Sequence, residues 1–129
     1  MSARILLIED NLHNRYLAKF LLEQRGHEVF EAVTGPAGLA LAREIRPDLI
    51  LLDIQLPGMD GHAVARSLKS SPELASIPII AVTSYAMAGD REKCLAAGAE
   101  GYIEKPIDPE SFAAEIERFL RPPARDSGP

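Results

Sequence analysis

Leu49-Ile50-Leu51-Leu52 is the most apolar run in the chain, and Asp53 follows it at once, ahead of Ile54-Gln55-Leu56-Pro57-Gly58. An unbroken apolar run bounded by turn residues describes a strand buried on both faces, as in parallel sheets covered by helices. It is far too short for the roughly 20 residues of a membrane span. A carboxylate at the mouth of such a strand is costly unless a neighbouring group compensates its charge. In open parallel sheets ligands gather at the carboxyl ends of the strands, where Asp53 is expected to sit.

Around this strand two periodicities alternate. Arg4–Ile8, Glu28–Ala32, Leu49–Leu52, Ile79–Val82 and Gly101–Ile103 are short runs rich in branched residues and read as strands. Helix-like segments lie between them. From Leu12 to Arg25 the residues Leu12, Tyr16 and Phe20, with Leu17 and Leu21, form one apolar stripe, and Gly26 supplies a stop. Thr34 is the expected cap of a second helix that Pro47 brings to an end. Asp60 is the expected cap of a third helix carrying Val64, Ala65 and Leu68, and a fourth is expected from about Met87 to Ala97, closed by Gly98. The last is expected to open at Asp108-Pro109-Glu110 and to bury Phe112, Ile116, Phe119 and Leu120. Alternating strands and helices imply right-handed crossovers and a parallel sheet covered on both faces. The expected fold is therefore α/β, a three-layer doubly wound five-stranded sheet. Pattern alone leaves the strand order open, with the flavodoxin-like order 2-1-3-4-5 the natural candidate.

With 129 residues the chain fits one domain, expected over residues 1–121, with 122–129 a tail that has nothing to bury and is expected to be disordered. The net charge of −5, with no visible basic patch, argues against nucleic acid as a partner. Cys94 is the only cysteine, which excludes an internal disulfide and a thiolate metal cluster; its place in Lys93-Cys94-Leu95-Ala96-Ala97 reads as core packing. A strand-like run begins directly after Met1-Ser2-Ala3, so neither a signal peptide nor a membrane segment is expected and the location is expected to be cytoplasmic.

The turns that follow the strands carry the chemistry. The first offers Glu9, Asp10 and Asn11; the third Asp53 and Gln55; the fourth Thr83 and Ser84; the fifth Lys105, before Pro106. Taken singly, Asp10 or Asn11 is more ordinary as a helix cap, Thr83 as a strand residue and Lys105 as a surface charge. Their joint arrival at one sheet edge is harder to explain blandly. Three crowded carboxylates raise one another's pKa values unless a cation compensates. Hard oxygen ligands suit Mg²⁺. A divalent ion, an ammonium and a hydroxyl around a free carboxylate would stabilise a transferring phosphoryl group, with Asp53 as nucleophile.

These residues, from about Arg4 to Leu120, resemble the receiver domain of two-component response regulators. The motifs are Glu9-Asp10-Asn11, the stretch from Pro47 to Gly61 around Asp53, Val82-Thr83, and Lys105-Pro106, in that order and spacing. The resemblance implies phosphorylation of Asp53 by a phosphohistidine on a sensor histidine kinase or phosphotransfer protein, with Mg²⁺ or Mn²⁺ required. It implies Asp10, Asp53 and the backbone carbonyl of Gln55 as metal ligands, with Glu9 acting through water. Lys105 would contact the phosphoryl group, and the Lys105-Pro106 bond would be cis. Thr83 and Tyr102 would form the switch, redrawing the partner-binding face built from the fourth helix, fifth strand and fifth helix. Gln55 and Tyr85 would tune the lifetime of the phosphoryl group, and bulky Tyr85 predicts a long one. Ser84 departs from the family's usual alanine.

Glu9-Asp10-Asn11 with Asn14, and Val82 to Asp90, look most like free-standing receivers of bacterial cell-cycle and polarity relays, and like receivers attached to hybrid kinases. The start at Met1 and the Pro-rich end favour the free-standing form, a phosphoacceptor rather than an enzyme, as monomer or transient dimer. A Mg²⁺-dependent phosphatase needs a second acid two residues after the nucleophile, where Gln55 stands. A flavin-binding protein needs a phosphate cradle where Glu9 and Asp10 would repel phosphate. An adaptor that binds partners without phosphorylation remains a third reading.

Overall fold

A computed structural model describes residues 2–84 and 89–120. The elements are β1 (Arg4–Ile8), α1 (Leu12–Gln24), β2 (Glu28–Ala32), α2 (Gly35–Ile45), β3 (Leu49–Asp53), α3 (Gly61–Ser70), β4 (Ile79–Thr83), α4 (Asp90–Ala96), β5 (Gly101–Glu104) and α5 (Phe112–Glu117). The strands form one sheet in the order β2-β1-β3-β4-β5, and every neighbouring pair is parallel. The doubly wound fold and its flavodoxin-like order are as expected.

Alternation along the strands divides the core in two. Leu6, Ile8, Ile50, Leu52, Ile79 and Ala81 pack with Ala42 of α2, Val64 and Leu68 of α3 and Cys94 of α4. On the opposite face Ile5, Leu7, Leu49, Leu51, Ile80 and Val82 pack with Ala18 and Leu22 of α1 and Phe112 and Ile116 of α5. Residues 49–52 are each 0% exposed, which is why this strand tolerates no polar alternation. Cys94 lies in the core as a packing residue. Among the described residues no helix is long and apolar enough to cross a membrane.

The caps form largely as the sequence predicts. Thr34 Oγ1 accepts the Ala37 N–H at 3.1 Å and Asp60 Oδ1 accepts the His62 N–H at 3.0 Å. At α1 the cap is Asn11, whose Oδ1 accepts the Asn14 N–H at 2.9 Å.

Two expectations are overturned, and others fall outside the described residues. The Leu12, Tyr16, Phe20 stripe does not face the core: these residues are 73%, 69% and 47% exposed, with the Tyr16 and Phe20 rings stacked at 6.3 Å. The inward stripe is instead Arg15, Ala18 and Leu22, with Leu21 of the expected stripe also packed against the core, because small Ala18 lets the helix lie close to the sheet while Arg15 reaches the turn after β1. The last helix opens at Phe112 rather than Asp108; residues 108–111 form turns in which Asp108 Oδ1 accepts the Glu110 N–H and its carbonyl accepts the Phe112 N–H. α4 is described from Asp90, and the expected start near Met87 lies outside the described residues, as do the tail 122–129 and its boundary at residue 121.

Candidate functional site: an acidic rim at the carboxyl edge of the sheet

Each strand of a parallel sheet delivers its last residue to the same edge, and register sets their mutual height. Ile8 aligns with Leu52, so Glu9 aligns with Asp53; Asp53 in turn pairs with Val82, one residue before Thr83. The sheet is extended by one more bond there, from the Lys105 N–H to the Thr83 carbonyl at 2.8 Å, which brings Lys105 in beside β4. The Lys105-Pro106 peptide is cis, as the resemblance implied.

The side chains meet. Lys105 Nζ lies 2.8 Å from Glu9 Oε1 and 3.4 Å from Asp53 Oδ2. Oxygens of Glu9, Asp10 and Asp53 all fall within 4.8 Å of one another. Glu9, Asp53 and Thr83 are buried, whereas Asp10 opens to solvent. Burial pushes the Glu9 carboxyl above its ordinary value of 4.5; Lys105 opposes the rise, and the Asp53 charge reinforces it. Three carboxylates thus face one ammonium, leaving two negative charges to balance. An all-oxygen donor set with that residual charge, partly buried and open on the Asp10 side, fits a hard divalent cation.

Backbone donors fix the orientation of these acids. Glu9 Oε2 accepts the Asn11 N–H at 3.1 Å, so with Lys105 on Oε1 both of its oxygens are engaged. That arrangement suits a carboxylate acting on a cation through water rather than by direct contact. Asp53 Oδ1 accepts the Gln55 N–H at 2.9 Å, and Gln55 Oε1 accepts the Ser84 N–H at 3.1 Å, tying the loop after β3 to the loop after β4. Ser84 therefore contributes its backbone to the site. Gly61 opens α3 against the end of β3: a Cβ there would meet the Ile54 Cα at 2.4 Å and the Asp53 carbonyl at 2.8 Å. Only glycine allows the helix to start that close.

Asn11 performs the capping, which separates the two readings that Asp10 and Asn11 left open in the sequence. Tyr102 is half-buried on β5 and packs against the core on the α3–α4 side. Tyr85 lies outside the described residues. Sequence reasoning did not find two features. Arg15 donates to the carbonyls of Glu9 and Asp10. Cys94 Sγ lies 3.6 Å from His62 Nε2, while His62 Nδ1 lies 3.2 Å from Asp60 Oδ1, a chain linking α4 to the cap of α3. Arg15 sits at a core-facing helical position, a signal that a correctly placed stripe would have exposed.

Comparison with known proteins agrees with the geometry. Residues 5–117 match the family model described as the response regulator receiver domain. The chain is 45% identical over 120 residues to the polar-differentiation response regulator DivK of Brucella anthropi, spanning 93% of this chain and 98% of that protein. Its fold superposes on the chemotaxis response regulator CheY4 of Vibrio cholerae with a TM-score of 0.87 at 28% identity, covering 93% and 100% of the two chains. It superposes at 0.84 and 34% identity, over 92% and 98%, on the receiver domain of the sensor histidine kinase PA1611 of Pseudomonas aeruginosa, a structure with a magnesium ion coordinated in the active site cleft. With its sheet order, its acidic rim and a family match across most of its length, this chain belongs to the response regulator receiver domain family.

Proposed function

We propose that this protein is a phosphorelay response regulator that accepts a phosphoryl group on Asp53 from a phosphohistidine and thereby changes a protein-binding face. The observation that carries the reading is the meeting of Glu9, Asp10, Asp53 and Lys105 at one sheet edge. Asp53 supplies the attacking carboxylate oxygen; the phosphorus–nitrogen bond breaks, and the departing imidazole nitrogen takes up a proton. Lys105, already seated beside Asp53, pairs with the arriving phosphoryl oxygens. Mg²⁺ or Mn²⁺, held by Asp10, Asp53 and the Gln55 carbonyl with Glu9 reaching it through water, would offset the charge on those oxygens when bound. The magnesium in the cleft of the sensor-kinase receiver supports this choice of ion.

The phosphoryl group adds close to two negative charges and new acceptor oxygens. Thr83, at the end of β4, would turn its hydroxyl toward them, and Tyr102 would move into the space released, altering the surface of α4, β5 and α5 for a downstream protein. The chain would act on no separate substrate, catalysing only its own phosphorylation and slow dephosphorylation. The donor is itself a protein, so its imidazole reaches Asp53 only if surfaces beside the rim can meet. Leu12, Tyr16 and Phe20, exposed along α1 directly after the Glu9–Asn11 turn, offer apolar contact there. A charge of −5 speaks against nucleic acid as the target. Identity to DivK, nearly all of which this chain covers, supports a free-standing cytoplasmic regulator of a polarity or cell-cycle relay, monomeric or transiently dimeric, over a relay element of a hybrid kinase.

The test is transfer from a histidine phosphotransfer protein carrying labelled phosphohistidine, with Mg²⁺ present. Label is expected to move to the wild-type chain and not to Asp53→Asn, and Thr83→Ala is expected to accept label but not to shift the amide spectrum of β5. Label retained by every donor, or equal labelling of Asp53→Asn, would refute the reading and favour an adaptor that works unmodified.

A further inference from the structure

Arg15 lies in the first turn and a half of α1, and its side chain is only 15% exposed. Its Nη1 donates to two consecutive backbone carbonyls, Glu9 at 3.1 Å and Asp10 at 3.0 Å. Its Nε donates to Glu31 Oε1 at 3.3 Å on β2, and the other Glu31 oxygen is held by Lys19 Nζ at 3.3 Å. One guanidinium therefore joins the turn after β1 to the adjacent strand. A planar, fork-shaped donor does this in a fixed geometry that an ammonium cannot reproduce.

The two carbonyls decide where the rim acids point. A peptide unit is planar, so holding the Asp10 carbonyl also orients the N–H of Asn11. That N–H is the donor to Glu9 Oε2. The Asp10–Asn11 peptide is thus held at its oxygen by Arg15 and at its nitrogen by Glu9, and the Cα of Asp10 is fixed between two restrained peptide planes. A cation placed this close to an acidic rim would compete with a metal ion if it touched the carboxylates. Arg15 is bonded instead to carbonyl oxygens, and Glu31 offsets its charge.

We propose that Arg15 is a positioning residue that presets the Glu9 and Asp10 carboxylates for a divalent cation; the inference rests on reading the rim as a cation site. Groups that orient ligands from behind typically alter metal affinity by about 10–100-fold when removed, so Arg15→Ala is expected to weaken Mg²⁺ binding by about tenfold. Arg15→Lys, whose one ammonium can stand in for Nη1 at the carbonyls but cannot also hold Glu31 as Nε does, is expected to recover part of the loss. Lys19→Ala, which shares Glu31 without touching the turn, is expected to leave Mg²⁺ affinity unchanged.

The experiment is calorimetric titration of the full chain with Mg²⁺, beside urea unfolding of each variant in chelator. Glu31→Gln provides a milder variant that keeps Arg15 but loosens its anchor, with a smaller loss of affinity expected. A role confined to fold stability would lower the unfolding midpoint of Arg15→Ala in chelator while its folded form bound Mg²⁺ as tightly as wild type, and that result would overturn the proposal. Failure of the wild-type chain itself to bind Mg²⁺ would overturn the cation reading of the rim and the Arg15 role with it.

Discussion

At the scale of single residues, the turn after β1 divides its labour: Asn11 caps α1, and the Asp10 carboxylate sits at the mouth of the rim among like charges. Removing that charge should help the fold and harm the site, the usual trade at functional positions. Asp10→Asn is expected to raise stability in chelator by about 0.5–1 kcal/mol. Saturating Mg²⁺ is expected to stabilise the wild-type chain by about 2.7 kcal/mol at a hundred times its Kd and to leave Asp10→Asn nearly unmoved. Urea unfolding with and without Mg²⁺ measures both; equal stabilisation of the two proteins would remove Asp10 from the ligand set. Asp10, Asp53 and Lys105 were legible in the sequence because each ends a strand or stands in the turn just after one, and parallel strands end at one edge. Arg15 was not legible, since a charged residue near the start of a helix reads as solvated surface until the rotation of that helix is known.

Among the elements, the strands were the most legible and α1 the least. Runs of branched apolar residues leave a buried strand one solution. A helix with Leu12, Tyr16 and Phe20 on one side and Ala18, Leu21 and Leu22 on another offers two competing stripes, and the larger side chains suggested the wrong one. What decided the rotation was small Ala18 against the sheet together with Leu22, and the reach of Arg15 to the turn. Asp108 misled in a similar way: its side chain does accept a backbone N–H, but as part of a turn that precedes α5. The corrected orientation predicts a contrast within one helix. Leu22→Ala is expected to cost about 2–5 kcal/mol, as for other fully buried leucines. Phe20→Ala should stay within about 0.5 kcal/mol of wild type, as at other exposed sites. Paired urea denaturation of the two variants checks this, and a large loss for Phe20→Ala would restore the stripe first read from the sequence.

For the whole molecule, the edge of the sheet opposite the rim is tied by a second polar cluster that the sequence did not signal, because its members are distant in the chain. Buried His27 accepts the Ala3 N–H on Nδ1 at 3.0 Å and meets Glu117 of α5 through Nε2 at 2.8 Å, while Arg25 pairs with the same carboxylate. The Arg25 hydrogen bond, followed by that of His27, draws the Glu117 carboxyl down from 4.5 to about 2. A depressed carboxyl stabilises the fold above its unfolded value, and that stability is lost as pH falls from about 4.5 through 2. Glu117→Gln is therefore expected to be less stable than wild type at neutral pH, with the gap closing across that acid window; a constant gap would contradict the assignment. This cluster anchors α5, and the rim lies across the sheet from it, so the account separates acid stability from signalling chemistry. The central claim, that the rim lets Asp53 accept phosphorus with the help of a divalent cation, is tested most directly by intact-mass measurement after incubation with acetyl phosphate and Mg²⁺. The account predicts the gain of a single acid-labile phosphoryl group, absent with chelator and absent in Asp53→Asn. A gain that survives in Asp53→Asn, or no gain by the wild-type chain under any metal condition, would contradict it.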